Sequence, residues 1–560
     1  MRVFARGSRQ FGPRLAGLAG LAAALTASLL SATAAHAEWL KAETDHFIVY
    51  GDTSEASLRR YARKVERFDA LLRTYYPIPT EHEIPKLEIF MAEGRRDMNR
   101  VSPGIGEGVA GFYSPNSGRI YSVVDTRSRM GDVVVFHEYG HHFMYQMRAN
   151  AYPSWFVEGF AEYYSTAEVV NDRIQFGRHN PGRMNSLTMG ANTWADIDDV
   201  LTWRLTAAGR YPAHLYYAQA WAMTHYFMST PERTQMLSRY LASVIGGQES
   251  VAAMQAATGR TSEQLQNDLW RYMSGSITML SPQITLPEPQ VTITRVPPAE
   301  AEAVWLDIRL DNEPVIETPA ETKSDSDKSD SQKAREAREL RENAENRAEL
   351  IRSAFALAEK HPGDRMGLLL AARAQRLSQR PDLAIGVLEP AITDSLQDAD
   401  ILRVAGLALL DQIASEADPD KALTMRRRAN GYLARAMDAE PTDFRIYLAL
   451  NDVRRGQTGY PSDNDLSTLQ VAYALAPQSF DARLRLGQAY IARNLNAEAI
   501  QVLTPVSNSP HASHFKGRAR AMITQARAAL GQAAEAYAEE PSEDDAAAAS
   551  GLPQTPAAAD

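Results

Sequence analysis

The spacing of hydrophobic residues along the chain has two periods, one typical of strands and one typical of helices. The first part of the chain contains both, and the last part contains only the helical period. As far as about residue 281, short runs rich in β-branched and aromatic residues are mixed with longer runs of helical period. Residues 46–50 (HFIVY) and 86–91 (KLEIFM) are predicted to be strands. Residues 54–76 place apolar side chains on one helical face, at Leu58, Tyr61, Val65, Phe68 and Leu72.

Later segments of this first part extend the same mixture. Two strand-like runs, 108–113 and 119–124, flank Ser-Pro-Asn-Ser-Gly and predict a β-hairpin. Three long helical stretches follow, at about 132–149, 154–169 and 214–229. The pattern therefore predicts an α+β domain over residues 38–281.

Residues 282–335 have the composition of a boundary. They begin rich in Pro and Thr, with short strand-like runs at 290–295 and 304–310. They continue into Lys-Ser-Asp-Ser-Asp-Lys-Ser-Asp-Ser, which has no apolar residue to bury. We expect a partly disordered linker between the first domain and the rest of the chain.

The chain from 336 to 535 is predicted to be helical and repetitive. Its clearest unit, ARLRLGQAYIARNLNAEAIQVL, resembles the tetratricopeptide pattern at Leu486, Gly487, Tyr490, Ala499 and Leu503. A fainter copy has small or apolar residues at Ala371, Ala372, Ala384 and Leu388. Prolines stand near the ends of the units, at Pro362, Pro441, Pro477 and Pro510. A helical bundle without repeats is the alternative interpretation.

Composition restricts the possible chemistry of the protein more than it restricts the possible folds. The chain has 560 residues, which is too long for one core, and a formal net charge of −10. The acidic balance argues against nucleic acid or an anionic membrane surface as the main partner. There is no cysteine, so disulfides, cysteine metal ligands and thiol nucleophiles are excluded together. Any metal site must use His, Asp and Glu.

The first 37 residues resemble an export signal. Basic residues at the start precede an apolar run over residues 15–30, and Ala35-His36-Ala37 has the form of a cleavage site. An uncleaved anchor is the alternative, but the run is short and contains Gly, Ser and Thr. No later stretch has the roughly 20 apolar residues that a membrane span needs. We expect an exported protein, periplasmic or secreted, with a disordered tail at 536–560.

The candidate chemistry lies in the first long helical stretch, DVVVFHEYGHHFMYQMRA, which contains an H-E-x-x-H motif. Residues i and i+4 lie about 40° apart around a helix, so His137 and His141 can direct two imidazoles at one metal ion. Glu138 lies about 100° from His137, where a base can take a proton from a water molecule beside the ion. His142 points away and is not expected to be a ligand.

Apolar residues surround these histidines on nearly every face, which predicts a buried helix. Buried His and Glu side chains are costly unless they are paired or bind a metal. Metal binding is therefore the favoured interpretation, and a structural pair of buried histidines is the alternative.

Two histidines leave a zinc ion short of a third protein ligand. Seventeen residues after His141 comes Glu158, and Glu162 follows four residues later on the same predicted helix, PSWFVEGFAEYY. The two carboxylates share one helical face. One can bind the metal, and the other can orient a ligand imidazole through a hydrogen bond. An exposed acidic face is the alternative, but the flanking aromatic residues argue against it.

The pairing of H-E-x-x-H with a downstream E-G-F-A-E resembles the gluzincin metallopeptidases, the clan of thermolysin and aminopeptidase N. The resemblance covers about residues 40–275 and is closest to peptidase-MA-like domains of exported bacterial proteins. It implies a Zn²⁺ ion held by His137, His141 and Glu158, with Glu138 as the general base and Glu162 supporting a ligand. Met144 and Met147 occupy the places of the metzincin Gly and third His, which excludes that clan.

A second similarity lies over residues 217–227, which resemble the Y-E-K-G-x-A segment of the aminopeptidase N relatives. The resemblance implies that the Tyr217 hydroxyl stabilises the oxyanion of the transition state. Tyr216 and His214 are rival donors, and a tyrosine of the core is the alternative. The amine-binding G-x-M-E-N segment of those relatives is not present, so aminopeptidase activity is not implied. By the same resemblance, the hairpin at 108–124 is the candidate edge that holds an extended substrate.

These observations lead to one predicted architecture and one preferred function. The fold is an α+β zincin-type catalytic domain followed by an all-α tetratricopeptide-like helical repeat domain. The function is that of an exported zinc metallopeptidase whose repeats recruit a substrate or a partner protein. The alternatives are a weakly catalytic or non-catalytic tetratricopeptide scaffold in the cell envelope, and a zinc hydrolase acting on a non-peptide amide or ester.

Overall fold

The computed structural model describes most of the chain in ten ranges: 38–78, 84–106, 109–115, 118–147, 150–170, 173–189, 194–202, 211–315, 330–509 and 513–532. The predicted signal peptide (1–37) and tail (536–560) lie outside the described residues, as does the stretch 316–329 of the predicted linker. Within the described ranges, no helix combines the length and the apolar character needed to cross a membrane.

The first part contains a mixed six-stranded sheet in the order β4-β5-β3-β2-β1-β8. Its strands are β1 (Trp39–Glu43), β2 (Phe47–Asp52), β3 (Leu87–Ala92), β4 (Gly111–Pro115), β5 (Ile120–Asp125) and β8 (Thr292–Arg295). β2, β3 and β5 run parallel, whereas β4 and β5 form the predicted antiparallel hairpin. A separate pair consists of β6 (Glu168–Val170) and β7 (Arg173–Gln175).

Ten helices accompany these strands in the described residues before β8. They are α1 (Glu55–Tyr75), α2 (Arg95–Val101), α3 (Gly131–Met147), α4 (Ser154–Ser165), α5 (Pro181–Met189), α6 (Ile197–Thr202), α7 (Ala213–Phe227), α8 (Pro231–Ile245), α9 (Ser250–Thr258) and α10 (Ser262–Met273). The predicted helix at 154–169 ends at Ser165, because the chain turns there into β6.

Helix α1 illustrates how the apolar stripe builds the core. The Ser54 side chain caps its first turn by accepting a hydrogen bond from the Ser57 backbone N–H. All five apolar residues of the predicted stripe are buried. Among them, Phe68 stacks on Phe136 of α3 with ring centroids 3.9 Å apart. This core therefore fixes α3 against α1.

The described residues of the predicted linker, 282–315 and 330–335, contain regular secondary structure. β8 agrees with the predicted strand at 290–295 and pairs antiparallel with β1. The predicted strand at 304–310 is wrong, since these residues form the second half of α11 (Pro298–Asn312). Pro298 occupies the first helical turn, where the missing N–H is tolerated. Trp305 and Ile308 of α11 join the core under β3 and β5.

The rest of the described chain is helical and resembles tetratricopeptide-like repeats. Its helices are α12 (Asp330–Lys360), α13 (Arg365–Leu377), α14 (Pro381–Leu388), α15 (Ala399–Ile413), α16 (Pro419–Ala439), α17 (Phe444–Arg454), α18 (Asp463–Leu475), α19 (Phe480–Ala492), α20 (Asn496–Ser507) and α21 (Ser513–Ala529). The helices α13/α14, α15/α16, α17/α18 and α19/α20 pack as consecutive pairs.

Glycine residues set the spacing within two of these pairs. A Cβ at Gly487 would lie 2.7 Å from the Leu503 side chain, and one at Gly406 would lie 2.7 Å from Leu433. The first contact joins two positions of the predicted unit. The second joins α15 to α16 in the same way, within the predicted repeat region but at positions that the sequence analysis did not assign to a unit. Pro441 and Pro477 separate successive pairs, as predicted, whereas Pro510 lies outside the described residues.

Candidate metal centre

Helix α3 carries the H-E-x-x-H motif through the core. Val135, Phe136, Tyr139, Phe143 and Met144 are buried around it. Asp132 lies in its first turn, where a negative charge is favourable, and forms an ion pair with Lys64 of α1. The helix is therefore held from several sides, as its apolar sequence predicts.

Two close contacts between helices bring the functional segments together. A Cβ at Gly140 would lie 3.0 Å from the Cα of Ala161, so α3 and α4 approach almost backbone to backbone. A Cβ at Gly159 would overlap the carbonyl oxygen of Ala220 and the hydroxyl of Thr224 on α7. The glycines of both motifs thus allow α4 to lie between α3 and α7.

The predicted ligand atoms converge at this crossing. The Nε2 atoms of His137 and His141 lie 3.1 Å apart. The Oε2 atom of Glu158 lies 3.6 Å from His137 Nε2 and 3.5 Å from His141 Nε2. The three atoms form a nearly equilateral triangle, with Glu158 fully buried and His137 16% exposed.

This donor set fits a zinc ion. Zinc binds imidazole nitrogen and carboxylate oxygen at roughly 2.0–2.2 Å in tetrahedral geometry, which places neighbouring ligand atoms about 3.3 Å apart. The three measured separations lie within a few tenths of that value. Burial of a carboxylate between two imidazoles is also costly unless positive charge compensates it. The residues therefore match the three protein ligands of such a site, and His137 is its most exposed member.

The pKa values of the two histidines are shifted in opposite directions. Burial lowers the pKa of His137, which favours the neutral imidazole that binds metals. Burial also opposes the charged form of His141, but the carboxylates of Glu158, Glu138 and Glu162 together outweigh this effect and raise the pKa of His141. Glu158 contributes most among these charges, and His141 is the more deeply buried of the two imidazoles.

Glu162 supports the site from behind. Its Oε1 atom lies 3.3 Å from Nδ1 of His137, on the ring edge away from the ligand triangle. The same carboxylate accepts hydrogen bonds from Arg183 of helix α5 and from Asn180, which immediately precedes that helix. The predicted division of roles between the two glutamates agrees with this geometry. Arg183 and Asn180 were not identified from the sequence, because nothing local marks a residue that pairs across 20 positions.

Glu138 and Tyr217 each interact electrostatically with residues of this cluster. Glu138 is half-buried, and its charge contributes to raising the pKa of His141 and of Tyr217. Burial is the main cause of the raised pKa of Tyr217, followed by the charge of Glu158. The phenol therefore stays protonated at neutral pH. The guanidinium of Arg183 lies over its ring, 5.2 Å from the centroid.

The rival donors differ from Tyr217 in their surroundings. Tyr216 is 1% exposed and belongs to the apolar core. His214 lies at the first turn of α7 and is half-buried. Of the two tyrosines, only Tyr217 has Glu138 among the charges that influence its pKa. This electrostatic difference favours Tyr217 over Tyr216 as the candidate donor.

His142 lies in a different environment from the ligand histidines. Its Nδ1 atom is 3.0 Å from the Tyr113 hydroxyl of β4, and its ring stacks on Tyr139. Burial lowers its pKa to about 3. His142 therefore ties α3 to the edge strand, consistent with its exclusion as a ligand, and Tyr113 is a contact that the sequence did not reveal.

A second group of potential metal ligands, His46, Glu66 and Asp69, lies beneath α3. Its polar atoms contact one another: His46 Nδ1 lies 2.5 Å from Glu66 Oε1 and 3.2 Å from Asp69 Oδ2. Asp69 also pairs with Arg73 and accepts a hydrogen bond from Tyr139. This group is a hydrogen-bonded network that supports α3, since an arginine already supplies the positive charge.

Comparisons with known proteins add little about chemistry. Residues 133–244, which contain the whole candidate site, match a family model described as a protein of unknown function (DUF1570). No curated protein is significantly similar to the chain. Four chains of solved structures match, among them a thermophilic TPR protein from Thermus thermophilus. That match has 15% identity and a TM-score of 0.29, and covers 33% of this chain and 94% of the other.

Proposed function

We propose that the protein is a zinc-dependent metallopeptidase, exported to the periplasm or secreted. The single observation that carries the proposal is the triangle of His137 Nε2, His141 Nε2 and Glu158 Oε2, with sides of 3.1, 3.6 and 3.5 Å. Its dimensions match a tetrahedral zinc site, and it is made from the residues that the motif spacing selects.

In this proposal His137, His141 and Glu158 hold the ion, and Glu162 fixes the ring of His137 in the binding orientation. Zinc bound there would acidify a water molecule and polarise the scissile carbonyl. Glu138 takes the proton from the attacking water and returns it to the leaving amine. Tyr217, kept protonated by burial, donates a hydrogen bond to the oxygen that becomes negative.

The peptide would bind along β4. This strand is the edge of the described sheet beside α3, and in the described residues it pairs only with β5. Its other side offers backbone N–H and C=O groups to an extended chain. Binding of this kind selects an extended backbone more than a particular side chain, which favours a peptide over a compact amide or ester.

The test begins with the metal content of the purified mature protein. We expect about one zinc per chain, lost in His141→Ala, because three ligands define a site of this class. We expect Glu138→Gln to keep the metal and to lose hydrolysis of unstructured peptides by at least about a hundredfold. Turnover by Glu138→Gln would refute the base assignment.

Absence of zinc from the wild-type protein, with no binding of added zinc, would instead favour the alternative, a non-catalytic helical scaffold. For that alternative the repeats offer an open groove between α19 and α21, whose lining combines apolar residues such as Ile491 and Met522 with polar residues such as Gln488 and Arg518. Recruitment of a substrate or partner protein by the repeats is part of either proposal.

A further inference from the structure

The hairpin of β4 and β5 is attached to the helical repeats at the end next to its turn. The Gly118 carbonyl accepts a hydrogen bond from Arg445 of α17 at 3.2 Å. A Cβ at Gly118 would overlap the backbone carbonyl of Asp311, the penultimate residue of α11. The base of the turn therefore lies in close backbone contact with α11 and within reach of the repeats.

Asp311 is the centre of this attachment. Its carboxylate, 5% exposed, lies 3.6 Å from Arg119 at the start of β5 and 3.4 Å from Arg445. It also lies 3.3 Å from Arg373 of α13 and 3.6 Å from Arg403 of α15. Four guanidinium groups thus meet one buried carboxylate. Three of them come from the first helices of three consecutive pairs, and the fourth comes from the hairpin.

Neighbouring acidic groups complete the network without replacing Asp311. Asp307, one turn earlier on α11, pairs with Arg119 at 2.7 Å and with Arg373. Asp443 and Asp400 pair with Arg445 on the repeat side. Among the described residues, Asp311 is the carboxylate within ion-pair distance of the hairpin and of all three repeat helices. A buried charge cluster of this kind depends on each partner, because removal of one leaves the others uncompensated.

The repeats also contact the two helices that carry the ligands. Tyr145, near the end of α3, packs edge-on against Phe480 of α19, with ring centroids 6.0 Å apart. Gln146 donates a hydrogen bond to the Leu475 carbonyl, and Ser154 of α4 donates one to the Asn508 carbonyl. The repeats therefore contact both the helices that carry the candidate ligands and the hairpin.

We propose that Asp311 is a positioning residue for the substrate: through it, the first helices of three repeats hold the β4–β5 hairpin at a fixed distance from the metal centre. The inference rests on the proposed function, since it takes β4 as the peptide-binding strand. By this inference, the first helices of these three pairs bind a partner within the same chain, namely the β4–β5 hairpin.

The experiment compares Asp311→Asn with Asp411→Asn in the full mature protein. Asp411 is a matched control because it joins the same two repeat helices, α13 and α15, through Arg376 at 2.6 Å, but belongs to the repeats alone. In Asp311→Asn we expect amide hydrogen exchange in β4 and β5 to accelerate at least about tenfold. The control should exchange there as the wild type does.

Kinetics supply the second measurement. Asp311→Asn should raise KM for an extended peptide about fivefold or more, with kcat within about twofold and zinc content unchanged. Unchanged exchange in the hairpin, or an unchanged KM in a variant that still turns over, would overturn the inference. If Asp311→Asn does not fold, Arg445→Gln is tested instead by hydrogen exchange and by KM. This substitution removes one of the four guanidinium groups that meet Asp311. A wild-type protein without hydrolysis would refute the proposed function, and exchange would still report whether Asp311 anchors the hairpin.

Discussion

At the scale of single residues, the candidate site is built from two layers that differ in how visible they are in the sequence. The two candidate histidine ligands lie one helical turn apart and the candidate base lies one residue from the first, so the helical period predicts their relative positions. Glu162 likewise lies one turn from Glu158, but the approach of the two helices that brings Glu158 to the histidines does not follow from the period. Arg183 and Asn180 reach Glu162 from other elements, and Tyr113 reaches His142. Sequence periodicity therefore finds neighbours on one helix and misses partners from other elements.

Removal of Glu162 tests that orienting layer. We expect Glu162→Ala to weaken zinc binding by about 10- to 100-fold, because His137 loses the partner of its Nδ1 atom. Competition with a chromogenic chelator measures this affinity. Glu168→Ala is the control, since Glu168 pairs with Arg178 at the surface of the same region. Equal affinities for the Glu162 variant and the wild type would show that Glu162 does not support the ligand.

At the scale of elements, close helix packing determines whether the ligands meet. Gly140 and Ala161 bring α3 against α4, and Gly159 brings α4 against α7. The apolar patterns predicted the three helices and their burial, but a glycine within a helical pattern does not say which neighbour approaches it. For the same reason the Gly406–Leu433 contact between α15 and α16 was not predicted.

Substitution of Gly159 tests this packing. A Cβ there would overlap backbone and side-chain atoms of α7, so we expect Gly159→Ala to lower the free energy of unfolding by about 1–3 kcal/mol. Gly386→Ala is the matched control: it is an exposed helical glycine with nothing within 4 Å of its Cβ. There alanine should stabilise the helix by about 0.5–1 kcal/mol. Urea unfolding measures both, and a neutral Gly159→Ala would contradict the packing argument.

The predicted strand at 304–310 shows where period-based prediction fails at this scale. The sequence VWLDIRL alternates apolar and polar residues closely enough to fit a strand, yet it is also compatible with a helix buried on more than one side. The structure places it in α11, between the sheet and the first repeat helices. A local pattern does not reveal such a two-sided environment.

At the scale of the whole molecule, the two predicted domains are joined by far more than a linker. The composition of 282–335 indicated a separation, and the coarse division into a mixed α/β part and a helical part is confirmed. The buried ion pairs of Asp307 and Asp311 across this division were not predicted. Charged residues are usually solvated, so pairs that are 66 or 134 positions apart leave no local signal in the sequence.

Separate production of the two parts tests this contact. Fragments 38–315 and 330–532, expressed together, should elute as one complex in gel filtration, because the interface buries both apolar residues and ion pairs. The Asp311→Arg form of the first fragment should elute alone, since it brings a fifth positive charge to the cluster. Independent elution of the unmodified fragments would show that the linker, rather than the interface, holds the molecule together.

The close approach at Gly140 and Gly159 also bears on how relatives of this chain are recognised. A chain that keeps both histidines and both glutamates, but has a bulky side chain at Gly140, would hold α3 and α4 too far apart for the donor atoms to share an ion, and a bulky side chain at Gly159 would push α4 away from α7. The informative signature is thus H-E-x-G-H followed by E-G-x-A, with the small residues as necessary as the ligands. A sequence that satisfies the shorter motif alone lacks the packing that brings these donor atoms together here.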